Sequence, residues 1–168
     1  MFCIGDKVVS STNGICCITD IVELDLSGNH QPKSYFLLKP VAKSSSTLYI
    51  PVESADSRIR KVMDRSQALQ IIERLDSIET MEVRSDKERE HQYKMTILSC
   101  DPTLLVDMIK HICRRSAERV AQGKKRTTVD EKYYRIAVRN LHSELACALG
   151  CAKSEVESIT HAHFGHNA

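Results

Sequence analysis

Ile4-Gly5-Asp6-Lys7-Val8-Val9 begins the stretch that decides the fold, a closely spaced series of short strand patterns over the first third of the chain. The patterns are rich in β-branched and aromatic residues and are separated by Gly, Asn, Ser and Pro. They cover Lys7-Val8-Val9-Ser10, Gly14 to Leu24, Tyr35 to Val41 and Thr47 to Val52. Strands this short bury both faces only when their sheet closes, so the sequence predicts a Tudor-like or SH3-like small β-barrel.

Turn-forming residues separate the strands at positions 11–14, 27–30 and 43–46, and Gly14 is suited to a positive φ. The apolar positions of the second strand alternate with one slip, which predicts a β-bulge. Because neighbouring strand residues face opposite sides, we expect one of Cys16 and Cys17 to be in the core. Pro51 lacks an N–H donor, so the fourth strand is predicted at a sheet edge.

From Ser66 onward the apolar residues follow helical spacing. The chain is therefore predicted to be α+β, with a barrel domain at residues 1–60 followed by a compact all-α domain at residues 64–168. Ser66 is the predicted cap of the first helix, and Asp101-Pro102 is a strong helix start. The other helical segments are predicted over Asp86 to Ser99, over Val129 to Gly150 with Gly150 as the C-terminal cap, and after a capping box at Ser154-x-x-Glu157.

Positive charge is concentrated in one segment of the chain. The formal net charge is +2, yet residues 109–139 carry ten Lys or Arg against three Asp or Glu. Such an excess is typical of a polyanionic partner, although any single residue is better explained as a solvated surface charge. No base-reading motif is present, so we expect phosphate contacts without sequence recognition. The basic residues that bracket this helix–loop–helix junction are Arg114, Arg115, Arg119, Lys124, Lys125, Arg126, Lys132, Arg135 and Arg139.

Other function classes find little support in the residues. The seven scattered cysteines indicate free thiols in a reducing compartment. No apolar run approaches the ~20 residues that a membrane span requires. No nucleophile elbow or phosphate loop occurs, so we expect neither an enzyme nor a cofactor. His161-x-His163-x-x-His166 and the pair Cys147 and Cys151 lie on different predicted elements, and no metal site is expected.

Several of these segments resemble the CarD/CdnL family of bacterial transcription regulators, whose N-terminal module is shared with transcription-repair coupling factors. The resemblance rests on the start Met-Phe-x-Ile-Gly-Asp-x-Val-Val, on Tyr35-x-Leu37-x-Lys39 and on Thr47-x-x-Ile50-Pro51-Val52-x-x-Ala55. Tyr93-Lys94 and Arg114-Arg115-x-x-Glu118-Arg119 extend it into the helical part, to about residue 149.

The resemblance implies a transcription regulator that docks on the RNA polymerase β subunit through its barrel. It implies a helical domain that holds promoter DNA near the upstream edge of the transcription bubble. We expect a cytoplasmic monomer, associated with the nucleoid through the polymerase and without membrane contact. The polymerase-contact residues are expected to be Leu24, Tyr49, Ile50 and Pro51, and the DNA-contact residues the basic set above together with Arg89.

At two places the chain departs from the family's pattern. The family usually carries a Trp wedge four residues before the Tyr-Lys pair, and Arg89 stands there instead. A guanidinium reaches phosphate but does not fill the space of an indole. Leu24 and Tyr49 align with basic docking residues of the family, so we expect a more apolar docking surface. The alternatives are a stand-alone module that binds protein or RNA and, as a third class, an enzyme.

Overall fold

The computed structural model of the protein describes residues 1–25, 31–42, 46–83 and 85–164. The chain divides into two compact units, Met1–Val62 and Met63–Ala168. The first unit contains the strands and the second contains the α-helices, so the predicted α+β class is confirmed.

The first unit is a five-stranded antiparallel sheet with the strand order β4-β3-β2-β1-β5. The fifth strand was missed by the sequence analysis, because the three residues Ile59-Arg60-Lys61 are too few to display a period. β4 lies at one end of the order, so the edge position predicted for Pro51 is confirmed. The strands are β1 Lys7–Ser10, β2 Gly14–Leu24, β3 Lys33–Pro40, β4 Leu48–Pro51 and β5 Ile59–Lys61.

A 3-10 helix, Val52–Ser57, follows β4 directly and packs against β3, β4 and β5. It thereby bridges the two ends of the strand order and contributes Ala55 to the core. No ladder joins β4 to β5 among the described residues. Tudor-like closure into a barrel therefore stays a prediction.

The register of β2 against β3 shifts between Ile18 and Asp20, which confirms the predicted bulge. Cys16 is fully buried and Cys17 is half-buried, as expected for adjacent strand residues. The first predicted turn is present, with Gly14 at φ 67°. The turns predicted at 27–30 and at 43–46 lie, except for Ser46, outside the described residues. The core of this sheet is formed by Val8, Cys16, Ile18, Phe36, Leu38, Ile50, Ala55 and Ile59.

The second unit is built from helices whose apolar faces meet in one core. α3 and α4 are the longest and pack against each other, and α1, α2 and α5 all contact α4. Leu105, Met108 and Ile109 of α3 face Leu141 and Leu145 of α4 in this core. The helices are α1 Arg65–Glu73, α2 Asp86–Ser99, α3 Pro102–Ala121, α4 Thr128–Leu149 and α5 Lys153–Phe164.

Helix caps test the sequence predictions residue by residue. Asp101 accepts from the N–H groups of Thr103 and Leu104, and Gly150 ends α4 in the left-handed region, both as predicted. Ser66 does not cap α1. The cap is Asp64, two residues before Ser66, which forms a complete capping box with Gln67.

The capping box predicted at Ser154-x-x-Glu157 is also wrong. α5 begins at Lys153, two residues before the start that a Ser154 cap would give, and Glu155 accepts from the N–H of Ala152 at 2.8 Å. The glutamate at the third helical position thus forms its half of a capping box, while the N-cap residue, Ala152, has no hydroxyl to form the other half.

The segment between α1 and α2 is fastened to α3 by side chains. Nζ of Lys110 donates to the carbonyls of Leu75, Asp76 and Ile78 at 2.7–3.2 Å. Nδ1 of His111 lies 2.9 Å from the carbonyl oxygen of Met81. These contacts satisfy backbone groups that no helix pairs. None of the helices in the described ranges is long and apolar enough to cross a membrane.

Candidate functional site

One face of the small sheet carries several apolar side chains that are half-buried or exposed. The register pairs Asp20 with Leu37 and Leu37 with Tyr49, and it pairs Tyr35 with Pro51. Because side chains of paired residues share a face, these rows lie on one surface. We call this surface the outer face; its apolar members are Val22, Leu24, Tyr35, Leu37, Tyr49 and Pro51.

Three of the four residues expected to contact polymerase lie on the outer face. Leu24 and Pro51 are half-buried there, and Tyr49 is 48% exposed. Ile50 alternates to the opposite side, where it pairs with Phe36 in the core and is 6% exposed. The geometry therefore gives Ile50 a structural place in the sheet and leaves Leu24, Tyr49 and Pro51 together at the surface.

An open concavity of about 290 Å³ lies on the outer face. Leu24, Tyr35 and Pro51 supply its apolar wall, and Lys33 and Glu53 form an ion pair of 3.3 Å at its side. An aromatic and apolar surface with a charged rim suits a protein partner.

Within the described ranges, strand β4 pairs only with β3, so its second backbone edge has no ladder partner there. The strand lies at the end of the strand order. An extended segment of a partner can add to such an edge through main-chain hydrogen bonds.

The second candidate surface is the basic junction, which we define as residues 114–139 at the end of α3, the following loop and the start of α4. Arg119 organises the loop, because its Nε donates to the carbonyl of Lys125 at 3.0 Å. Gly123 takes a positive φ of 70° in the turn. The basic side chains exposed along this junction are those of Arg114, Lys124, Lys125, Lys132, Arg135 and Arg139.

Arg126 has a different environment from the exposed residues. It is half-buried and lines a small notch with Ile112, Ser116, Glu131 and Tyr134. On α4, Lys132 and Arg139 are seven residues apart, so that row of charges extends roughly 10 Å along the helix axis. The basic residues are therefore spread along the helices and the loop and do not all meet at one place.

Arg89 is held inside the helical unit. Its side chain is 7% exposed, and its guanidinium contacts Asp86 and Asp130. Nε of Arg115 lies 3.2 Å from the second carboxylate oxygen of Asp130, and the hydroxyl of Tyr93 donates to Asp130 at 3.3 Å. Asp130, 1% exposed, thus joins α2, α3 and α4. The two guanidiniums and the hydroxyl offset the free-energy cost of burying this carboxylate.

This placement changes how Arg89 is interpreted. From the sequence, Arg89 is expected at the DNA in place of a wedge; in the structure its guanidinium contacts Asp86 and Asp130. Its depth below the surface does not suit a phosphate contact. Arg115 is similarly tied on its Nε side, although its side chain keeps 24% exposure.

The network perturbs two of its members. Burial, with a further contribution from the charge of Asp130, raises the pKa of Tyr93. The hydrogen bond from Arg89 lowers the pKa of Asp86, and Arg115 and Arg119 act in the same direction. Tyr93 is therefore a neutral donor and Asp86 a carboxylate at neutral pH.

Neither acidic residue of the network was predicted from the sequence. Asp86 and Arg89 are three residues apart on one helix, which is a recognisable pairing distance. Asp130 carries no comparable signal, because a first-turn acid of a helix is ordinarily read as solvated. Its role became visible only when α2 and α3 were placed beside it.

The histidines at the C-terminus take separate roles. His163 on α5 lies 2.7 Å from Asp76, and His166 lies outside the described residues. Across the described ranges, no three His, Cys, Asp or Glu side chains gather as metal ligands would.

A small antiparallel sheet with an exposed apolar face has the architecture of an interaction module. Residues 2–63 match the family described as the CarD-like/TRCF RID domain, which confirms the resemblance over the N-terminal unit. This domain family is non-catalytic and interacts with RNA polymerase, which gives the chain a transcription-related role. No curated protein is significantly similar to the chain.

Proposed function

We propose that the protein is a non-enzymatic regulator of transcription initiation that docks on the RNA polymerase β subunit and holds promoter DNA. The outer face and the β4 edge make the polymerase contact. The basic junction contacts DNA phosphates without reading sequence. The protein acts in the cytoplasm wherever polymerase occupies a promoter.

The observation that carries the proposal is the outer face within the matched RID domain. Leu24, Tyr49 and Pro51 come from two strands and lie on one face beside a concavity, with Tyr49 exposed and the other two half-buried. Large apolar side chains exposed together are a mark of an interaction site. A partner segment added along β4 would pair with the backbone whatever its own sequence, and the apolar side chains would supply specificity.

Retention of the β subunit by the full chain tests the docking contact. Tyr49→Ala is expected to weaken retention about tenfold or more, since aromatic anchors carry much of an interface's energy. Leu69→Ala is the matched control, because Leu69 on α1 is 43% exposed and apolar. Equal retention by both variants, each with an unchanged thermal unfolding temperature, would reject the outer face as the docking site.

DNA holding is supported by the exposed part of the basic junction. Six exposed Lys or Arg side chains run from Arg114 to Arg139 along two helices and a loop. Each phosphate contact that such a strip makes adds about −0.9 to the slope of log affinity against log salt concentration. Nothing in the strip fixes a base-reading geometry, so the contacts position the protein.

Binding of mixed-sequence duplex DNA at two salt concentrations tests this contact. The double substitution Lys124→Gln with Lys125→Gln is expected to lower affinity and to reduce the salt slope by up to ~1.8. Arg74→Gln with Lys153→Gln removes the same charge from exposed positions outside the junction. A loss of equal size in both double variants would mean that net charge, and not the junction, binds DNA.

The position of Arg89 favours one alternative, a module that binds RNA or protein and has no promoter role. With Arg89 buried, no side chain at that position serves as a wedge at the edge of a transcription bubble. Tighter binding of single-stranded RNA than of duplex DNA by the full chain would favour this alternative.

A further inference from the structure

Arg115 lies between a buried and an exposed carboxylate. Its Nε lies 3.2 Å from Asp130, whose side chain is 1% exposed. Its terminal nitrogen lies 3.2 Å from Oδ1 of Asp86, whose side chain is 78% exposed. The first contact orients Arg115, and the second engages a terminal nitrogen of a side chain that is 24% exposed.

The two contacts differ in how easily they are replaced. The pair with Asp130 is enclosed, and breaking it would leave a buried charge. The pair with Asp86 is in solvent, where ion pairs contribute little to stability. An anion from outside can therefore take the place of Asp86 without disturbing the buried pair.

Asp86 does not lose every partner when it leaves Arg115. The same Oδ1 also contacts the guanidinium of Arg89, three residues along the helix, so a second cationic partner is at hand. Asp86 also lies in the first turn of α2, where a negative charge is favoured by the helix dipole. Exchange at Arg115 therefore costs the fold little.

We propose that Asp86 occupies, in the free protein, a phosphate-binding site on Arg115, and that a DNA phosphate displaces it there. The site is preformed, because Asp130 holds the guanidinium in place. Asp86 limits the affinity for DNA, since every phosphate that binds Arg115 must first replace it. This inference rests on the proposed DNA contact of the basic junction.

The test compares Asp86→Asn with Glu88→Gln in the full chain, using mixed-sequence duplex DNA and fluorescence anisotropy. Both substitutions remove one negative charge from the first turn of α2. Glu88 is exposed, and its carboxylate accepts from Gln92 on the same helix. We expect Asp86→Asn to raise the affinity about threefold to fivefold more than Glu88→Gln. We also expect it to steepen the salt slope by about 0.9, as one added phosphate contact would.

A second measurement makes the effect specific to Arg115. In an Arg115→Gln background, Asp86→Asn is expected to change DNA affinity no more than Glu88→Gln does. If that background does not fold, the salt slopes of the two single variants still decide the question. Equal affinities and equal slopes for Asp86→Asn and Glu88→Gln overturn the inference.

The outcome also separates this inference from the proposed function. If Lys124→Gln with Lys125→Gln weakens DNA binding while Asp86→Asn matches Glu88→Gln, the junction binds DNA and Asp86 does not mask it. If neither Lys124→Gln with Lys125→Gln nor Asp86→Asn alters DNA binding beyond its control, the DNA contact itself is rejected, and this inference with it.

Discussion

At the scale of single residues, Asp130 connects three helices although no sequence pattern marks it. It is 1% exposed and contacts Arg89, Arg115 and Tyr93, which come from the two helices preceding its own. Removing its charge would leave Arg89 paired with the exposed carboxylate of Asp86, and an amide N–H2 in place of one oxygen would face a guanidinium. Groups stranded in this way cost more than their contacts contribute.

Asp130→Asn is therefore expected to destabilise the helical unit by about 3 kcal/mol, the lower end of the range for breaking a buried ion pair. Urea unfolding followed by circular dichroism measures this loss. Glu131→Gln, the exposed neighbour, should change the free energy of unfolding by less than about 0.5 kcal/mol. Equal effects of the two substitutions would contradict the assigned role.

Cys16 provides a chemical check on the core of the sheet. Burial raises the pKa of the Cys16 thiol to about 11, and the thiolate is the reactive form. At pH 8 we expect iodoacetamide to label the exposed Cys3 in the native protein and to spare Cys16. Labelling of Cys16 should appear in urea, as read by peptide mass spectrometry. Labelling of both residues at similar rates in native buffer would refute the buried placement.

Arg89 and Asp130 show where sequence reasoning stops at this scale. Arg89 was noticed because it stands at a position where an aromatic residue was expected. Its burial, however, depends on Asp130, forty-one positions later in the chain. A pairing across three helices has no fixed sequence distance, so no local pattern reveals it.

At the scale of elements, two neighbouring residues of strand β4 have different roles, one on the proposed docking surface and one in the core. Tyr49 is on the outer face with 48% exposure, and Ile50 is in the core with 6% exposure. Here the period of two, which sequence analysis can read, is sufficient to assign the faces.

Ile50→Ala is expected to lower the free energy of unfolding of the sheet by about 2–4 kcal/mol, because it leaves a cavity in the core. Tyr49→Ala should change it by less than about 1 kcal/mol. Thermal unfolding of the full chain, followed by near-UV circular dichroism, distinguishes the two. The reverse ranking would mean that the register of β4 is shifted by one residue.

The contact between α4 and α5 depends on a neutral histidine. His142 is 4% exposed, and its Nε2 lies 2.8 Å from Oγ1 of Thr160. Burial lowers the pKa of His142. The charge of Lys153 lowers it further, whereas the charge of Glu157 raises it. The folded protein thus takes up the proton less readily than the unfolded chain, whose histidine titrates near pH ~6.5.

The contribution of neutral His142 to the free energy of unfolding should therefore be fully present above about pH 6.5. It should decrease as the pH drops toward the lowered pKa of His142. Urea unfolding at a series of pH values between 7 and 5 measures the decline. His142→Asn is expected to flatten it, whereas His91→Asn at an exposed position on α2 should not. Some decline should persist in His142→Asn, because burial also lowers the pKa of His111. Identical pH profiles for the His142→Asn, His91→Asn and unsubstituted proteins would reject the role of His142.

At the scale of the whole molecule, two units with different surfaces are joined in one chain. The proposed function uses each surface for one weak contact. Joining two weak contacts raises occupancy through effective concentration, without any new contact.

Occupancy of polymerase–promoter complexes by the full chain is therefore expected to fall about tenfold or more with Tyr49→Ala, and likewise with Lys124→Gln plus Lys125→Gln. Arg74→Gln with Lys153→Gln serves as the charge-matched control. If the unsubstituted protein bound polymerase alone as tightly as it binds the polymerase–promoter complex, the two-contact mechanism would be excluded.

The sequence predicted the order of the two halves well, because each half has its own period. Strand β2 with its bulge and helix α3 with its Asp101-Pro102 start were both readable locally. Strand β5 and the Val52–Ser57 turn were not, since three to six residues display no period. Which basic side chains are exposed and which are tied down also required the packing of α2 against α3 and α4.

The short length of β4 has a further consequence for aggregation. An exposed sheet edge invites a second copy of the same chain to pair with it. β4 offers four residues, Leu48–Pro51, and the last of them has no N–H to donate. The edge is long enough for a partner that also fills the outer face, and too short to hold an identical strand by backbone bonds alone.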